Sequence, residues 1–296
     1  MSDARILHFL TPLKHPSPFD VNVAVDAGFA VAGYTMVGME EITALTQDAM
    51  FSRVPQDAAK TCLFIGGRDT LLALDMAAAA KAAMFPPFVV SIFADPAGAF
   101  TTAAAMVAYV AHRLRRQGGT LTGAKVAVFG AKGIVGGIAA VLAAEAGADV
   151  TLVAHDRSGA VPAKVAAFEA RFKLHLRVAE GISDAQKRAV LRDCEIVLAA
   201  GPAGVRILSR EDLKHAERLK IAADLNAVPP FGIEGVDAKA DGAPLGFAPG
   251  IGIGALAIGK VKFELQHALL RRIHRAEKAQ FITHREAYQV ALELVG

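Results

Sequence analysis

The sequence predicts an α/β fold in two parts: a doubly wound parallel-sheet domain and a second α/β domain, with a cleft between them. Three observations carry this. At 296 residues the chain exceeds the usual size of one domain. Apolar runs of strand length alternate with helical segments throughout, the signature of βαβ units. The runs are almost continuously apolar, as expected of parallel strands covered on both faces by helices.

In order, RILHFL, TCLFIGG and VVSIFAD form a first group of strands. The alanine-rich AAAAKAA of residues 77–83 is good helix sequence between them. A long helical pattern from about Gly98 to Gln117 follows and stops at the turn GGTLTGAK, the natural domain junction. KVAVFG, VTLVA, EIVLAAG and KIAADLN form a second group. From about Gly254 the segment ALAIGKVKFELQHALLRRIHRAEKA is helical, and HREAYQVALELV closes the chain as another helix. Two long helices flanking one strand block imply a discontinuous domain of residues 1–104 and 267–296, and an inserted one of 105–266.

Composition excludes several classes. The apolar fraction is 53%, yet no stretch of 18 residues lacks a polar break, which argues against a membrane span. MSDARILHFL has no small-residue cleavage site and does not read as a signal peptide. Cys62 and Cys194 sit in separate apolar runs and read as reduced core thiols of a cytoplasmic protein. No CxxC or HExxH occurs, so no metal site is expected. With 32 basic against 29 acidic residues, nucleic-acid binding is not indicated. The clusters HRLRR and RRIHR end helical segments, which suits the helix dipole; anchoring an acidic ligand tail is the other reading.

FGAKGIVGG, Phe129 to Gly137, joins an apolar run to an alanine-rich helix. Read as AKGIVG, it places Ala131 at the first position of the GxGxxG dinucleotide fingerprint, with Gly133 and Gly136 at the second and third. Gly130, one residue earlier, is the alternative turn residue. Gly133 would let the backbone approach a pyrophosphate and Gly136 would let helix pack on strand, with the helix start at Ile134 and Val135 facing the anion. Lys132 adds a charge. Asp156, 20 residues beyond Gly136 at the end of the next strand, suits the adenosine ribose hydroxyls. Beside it, His155 and Arg157 either accommodate the 2′-phosphate of NADP or are solvated loop residues. A Rossmann-type domain using both NAD and NADP is the resulting expectation.

Four further segments carry more polar or special residues than packing requires. LTPLKHPSPFD contributes Lys14, His15, Phe19 and Asp20, or is a plain turn with Ser17 or Asp20 at the helix start. TQDAMFSRVPQD offers Arg53 as a carboxylate or carbonyl clamp. FADPAGAFTT places Asp95, Thr101 and Thr102 at a strand end, for a ligand or for capping. DLNAVPPFGIEGVD and GFAPGIGIGALAIGKVKF bring glycines at 246, 250, 252, 254 and 259, which would let a flat ring lie on bare backbone or let a helix pack closely. No GxSxG, Walker or kinase motif is present, so a bound cofactor would do the chemistry.

TPLKHPSPFDVNVAVDAG, LTQDAMFSR, FIGG, FADPAGAFTTAAAMVA, LAAGPAG, DLNAVPPFGIEGVD and GIGALAIGKVKF, in this order, resemble the bacterial methylene-tetrahydromethanopterin dehydrogenases. The likeness covers essentially the whole chain and is closest to the type accepting both NAD and NADP. The strictly NADP-dependent type has a basic pair where this sequence has His155 and Asp156. The resemblance implies an oxidoreductase that takes N5,N10-methylene-tetrahydromethanopterin to the methenyl form by hydride transfer to nicotinamide. It further implies formaldehyde oxidation in methylotrophic one-carbon metabolism and a homo-oligomer. Asp20, Thr102 and Lys262 match cleft-lining positions of the family's motifs, and are the catalytic candidates. Ala200, Gly201 and Pro202 of LAAGPAG and Asn226, with Pro229 and Pro230, would hold the cofactor; Lys14, His15, Phe19, Arg53, Asp95, Thr101 and Gly254 would meet the pterin. A methylene-tetrahydrofolate dehydrogenase and a non-catalytic NAD(P)-binding regulator are the alternatives.

Overall fold

The computed structural model describes residues 4–296; residues 1–3 lie outside the described residues. It divides into two compact units, residues 1–101 with 263–290 and residues 102–262 with 291–296.

The first unit contains β1 (Ile6–Leu10), α1 (Pro18–Asp26), β2 (Ala30–Tyr34), α2 (Ile42–Phe51), β3 (Thr61–Ile65), α3 (Thr70–Ala83) and β4 (Ser91–Ala94). The chain leaves it within α4 (Ala99–Arg115). The second unit carries β5 (Lys125–Phe129), α5 (Ile134–Glu145), β6 (Asp149–Ala154), α6 (Ala160–Phe172), β7 (Arg177–Glu180), α7 (Asp184–Leu191), β8 (Ile196–Ala199), α8 (Arg210–Leu213), β9 (Ile221–Asp224), β10 (Asp241–Pro244) and β11 (Ile251–Ile253). The chain returns within α9 (Ala255–Arg275), adds β12 (Phe281–Ile282) and ends in α10 (His284–Val295).

The first sheet has the order β12-β4-β3-β1-β2 and is parallel throughout. Phe64 joins Phe9 and Phe93 edge to face, with ring centroids 4.7 and 5.2 Å apart, and all three are buried. These rings come from three adjacent strands on one face, so they knit the sheet centre together.

The second sheet runs β10-β11-β9-β8-β5-β6-β7, parallel except for the antiparallel β10–β11 pair. Its core on one side gathers Ala127, Phe129, Val197, Leu213 and Leu219. Each apolar run quoted above for the strands coincides with one of the observed strands to within a residue or two. Five strands carry no such run. β2 and β7 are largely exposed edges, β10 and β11 are short and rich in glycine or proline, and β12 has two residues. A strand buried on one face or paired along one edge has little apolar signal.

Cys62 and Cys194 are both buried free thiols. Burial pushes both up, Cys194 to about 12, so they stay protonated and inert. The HRLRR cluster is structural: Arg113 pairs with Asp241 and bonds Tyr109, while Arg115 donates to the carbonyl of Gly296 at 3.0 Å and His112 meets the same oxygen at 2.8 Å. Among the described residues no helix is long and apolar enough to cross a membrane.

Asp212 locks α8 onto α7. Its carboxylate accepts from the Ser209 amide and hydroxyl and, at 3.1 Å, from Arg188 Nε, while the side chain is almost fully buried. Burial pushes its pKa up, but the Ser209 and Arg188 bonds outweigh that and hold it below the ordinary value. A depressed folded-state pKa stabilises the protein at neutral pH and loses that stabilisation as pH falls through the carboxylate range. Asp212→Asn is therefore expected to cost about 1–2 kcal/mol near pH 7 and visibly less near pH 3, read as denaturant midpoints at both. Equal losses at the two pH values would remove the charge from the explanation.

Candidate functional site

In an open parallel sheet, ligands bind outside the carboxyl ends of the strands, where the strand order reverses direction. In the second sheet β6 lies on one side of β5 and β8 on the other, so the reversal falls between β5 and β8. The loop after β5 and the loop after β8 meet there. They enclose a groove of about 420 Å³ lined by Gly130, Lys132, Gly133, Ile134, Val135, His155, Ala200, Gly201 and Pro202.

The turn falls on Gly130, the alternative to Ala131, while Gly133 and Gly136 keep the places that the AKGIVG reading gives them. Gly130 holds the left-handed conformation with φ +79, and Ala131 is buried behind the turn. A Cβ on Gly130 would lie 2.4 Å from Ala200 C and O, so this glycine sets the spacing between the two groove walls. Gly136 packs α5 onto the strand end: a Cβ there would lie 2.6 Å from Gly130 O. Gly133 is the extended cap residue of α5, where an added Cβ meets Gly130 O at 3.2 Å. The result is a cradle of bare backbone at a helix N-terminus, which fits a pyrophosphate.

Asp156 follows β6 at the same edge. Its Oδ1 accepts from the Ser158 amide at 3.0 Å and from the Ser158 hydroxyl, while Oδ2 lies 3.6 Å from Lys132 Nζ and 3.4 Å from His155 Nε2. The two Ser158 bonds, aided by Lys132 and His155, pull its pKa down to about 2, so it is a carboxylate at any physiological pH. Arg157 is exposed and does not line the groove. Lys164, which the sequence reading omits, donates from α6 to the carbonyls of Lys132 and Gly133 at 2.6 and 3.0 Å. Nothing in the spacing marks a lysine 32 residues beyond Lys132; only the packing of α6 beside the loop brings it there.

Asn226 ties two loops together. Its Oδ1 accepts from Gly204 N at 3.1 Å and Val228 N at 2.9 Å, and its Nδ2 donates to Pro230 O at 3.0 Å. It thereby fixes the Ala200–Pro202 loop against the Pro229–Pro230 segment. Asp224 braces the same segment from β9, accepting from Asn226 N and Ile233 N at 3.0 and 2.9 Å, and burial raises its pKa.

Gly250 and Gly254 of the glycine-rich segment serve the packing of the fold. A Cβ on Gly254 would lie 2.1 Å from Asp237 O, and one on Gly250 would lie 2.6 Å from Lys220 O. Both backbones already face their own neighbours, so packing by itself accounts for a glycine at 254.

In the first sheet β2 lies on one side of β1 and β3 on the other, so the reversal falls between β1 and β3. Lys14, His15 and Phe19 stand exposed just beyond the carboxyl end of β1. Arg68 is exposed beyond β3, directly after the Gly66–Gly67 pair, and is a second cation that the sequence reading omits. Ser17 caps α1, accepting from Asp20 N at 3.3 Å, while the buried Asp20 carboxylate accepts from Gln266 Nε2 at 2.7 Å.

Arg53 is a correction. Its guanidinium donates to Thr61 Oγ1 at 3.3 Å and to Ala4 O at 3.0 Å, at the amino ends of β3 and β1. That is the edge opposite the ligand-binding one, because α2 runs back antiparallel to the strands before Arg53. Asp95 and Thr101 are likewise corrected. Both are fully buried, and Asp95 accepts from Phe100 N, Thr101 N and Thr101 Oγ1 at 2.9, 3.1 and 2.6 Å. They build the start of α4. Thr102 on α4 and Lys262 on α9 are half-buried.

A family model described as methylene-tetrahydromethanopterin dehydrogenase, N-terminal, matches residues 18–97. The NAD(P)-dependent methylenetetrahydromethanopterin dehydrogenase of Methylorubrum extorquens is 47% identical over 98% of this chain and 99% of its own. The chain belongs to this dehydrogenase family. A second family relative in the same organism, named bifunctional protein MdtA, is 32% identical over 99% of this chain and 100% of its own.

Among solved structures, shikimate 5-dehydrogenase from Listeria monocytogenes matches with a TM-score of 0.54 at 13% identity, over 98% of this chain and 97% of that one. Ornithine carbamoyltransferase from Pyrococcus furiosus also reaches 0.54 at 13% identity, over 90% and 83%. Two enzymes with such different names share the fold equally with this family member. The structural likeness therefore shows the fold alone.

Proposed function

We propose that this protein is an NAD(P)-dependent methylenetetrahydromethanopterin dehydrogenase, oxidising the methylene carrier to its methenyl form. The observation that carries the reading is the 47% identity to the Methylorubrum enzyme across 98% of the chain. The groove between β5 and β8 fits a dinucleotide: its backbone cradle would hold the pyrophosphate and Asp156 would accept from ribose hydroxyls. Bound there, the nicotinamide supplies the hydride acceptor.

What remains for the protein is mostly orientation. The carbon that loses hydride sits between two nitrogens whose lone pairs delocalise the resulting cation, so no strong acid or base has to act on it. Lys14, His15, Phe19 and Arg68 are the exposed groups that would meet the carrier at the edge of the first sheet. Asp20 is held in one orientation by Gln266, and with Thr102 and Lys262 it is the candidate for ordering the pterin. A positive Lys262 beside a forming cation is unfavourable, so its place is on a pterin carbonyl or a carboxylate. The setting that goes with this reading is cytoplasmic formaldehyde oxidation in one-carbon metabolism, with the protein working as a homo-oligomer.

The test is absorbance on mixing the protein with methylene-tetrahydromethanopterin and either NAD or NADP, beside the tetrahydrofolate analogue. Turnover on the methanopterin carrier with both cofactors is expected. Preference for tetrahydrofolate would reassign the substrate, and cofactor binding without turnover on either carrier would make the protein a sensor rather than an enzyme.

A further inference from the structure

We infer that Lys132 is the residue that admits NADP to a site otherwise built for NAD, by exchanging its ion pair with Asp156 for one with the cofactor's 2′-phosphate. The inference rests on the dinucleotide reading of the groove and specifies how one site takes both cofactors.

An anchored carboxylate at the end of the second strand favours NAD, because it accepts from the ribose hydroxyls and repels a phosphate. Asp156 is such a group. Ser158 occupies Oδ1 and leaves Oδ2 directed at Lys132 Nζ, 3.6 Å away. NADP can bind only if a cation offsets that charge at the 2′ position.

Three cationic side chains are candidates, and the geometry separates them. Arg157 is exposed, and unlike Lys132 and His155 it does not pair with Asp156 among the described residues. His155 lines the groove too, 3.4 Å from Asp156, but its short ring side chain lacks the flexible stem with which a lysine can swing from one anion to another. Lys132 lines the groove, carries its ammonium on such a stem and faces the same carboxylate oxygen from 3.6 Å. The Lys132 side chain is 52% exposed and that of Asp156 38%, so their pair is solvent-screened and readily broken. The loop backbone stays fixed meanwhile, because Lys164 bonds the carbonyls of Lys132 and Gly133. Only the Lys132 side chain has to swing, from Asp156 with NAD to the phosphate with NADP.

The test compares the dissociation constants of NAD and NADP, by calorimetry with the cofactors alone, for the wild-type protein, Lys132→Met and Arg157→Gln. Lys132→Met is expected to lower the affinity for NADP relative to NAD by at least about tenfold, the loss of one charge-assisted contact. Arg157→Gln is expected to move the ratio less. A shift below about threefold in Lys132→Met, or a larger one in Arg157→Gln, would overturn the assignment. Binding of both cofactors by a wild-type protein that turns over no pterin would overturn the dehydrogenase reading and leave the Lys132 result standing. Binding of neither would overturn both.

Discussion

Gly130→Val is expected to weaken NAD and NADP alike, by more than about a hundredfold in dissociation constant, because it closes the groove that both share. Two costs act at one residue. The backbone sits at φ +79, which a β-branched side chain adopts only under strain. The new Cβ would also lie 2.4 Å from Ala200 C and O and 2.6 Å from Gly201 N, so the loop after β8 has to move. That loop is the opposite wall, and Asn226 and Asp224 hold it from behind, so the displacement spreads into the Val228–Ile233 segment. Gly133→Ala is the matched comparison. Its Cβ would meet Gly130 O at 3.2 Å and Ala200 O at an ordinary 3.8 Å, and its φ of −67 suits any residue. A loss within about tenfold is expected there. If calorimetry finds the Gly133 variant the more damaged of the two, Gly130 does not set the groove.

Asp95→Ala is expected to destabilise the protein by about 3 kcal/mol, the largest stability loss among the substitutions considered. Removing a helix cap costs about 1 kcal/mol, and here the amides of Phe100 and Thr101 would lose their acceptor while buried and the Thr101 hydroxyl would keep only the Gly98 carbonyl at 3.3 Å, adding about 2 kcal/mol. Alanine leaves no group to replace it. At about 2–4 °C per kcal/mol, the melting temperature should fall by roughly 6–12 °C. Asp95→Asn keeps a side-chain acceptor and should recover part of the loss. A drop under about 2 °C for Asp95→Ala would mean that the cap is not holding α4 in place.

The dinucleotide cradle was accessible in the sequence because it depends on short-range order. KVAVF, then glycines at fixed spacing, then an alanine-rich helix can fold only as strand, tight turn and helix, and Asp156 stands one βαβ unit later. The long helices were legible for the same reason, since the 3.6-residue pattern repeats many times in α4 and α9. The edge strands β2 and β7 were not, because an exposed strand carries no continuous apolar run.

The polar residues divide along the same line. Asp95 and Arg53 look alike in the sequence: each is a charged residue beside an apolar run. Which of them meets solvent, a helix start or the amino edge of a sheet depends on partners such as Thr101, Ala4 and Thr61. The sequence by itself determined the alternation of strands and helices, the glycine cradle and the family, because each is written in residues close together or in the whole aligned chain. Only the tertiary structure decided that Gly130 makes the turn, that Lys164 anchors it, that Asn226 ties loops, and that Lys132 faces Asp156. Hydrogen bonds and ion pairs between segments tens of residues apart depend on how the strands are ordered in the sheet, and no local spacing encodes that order.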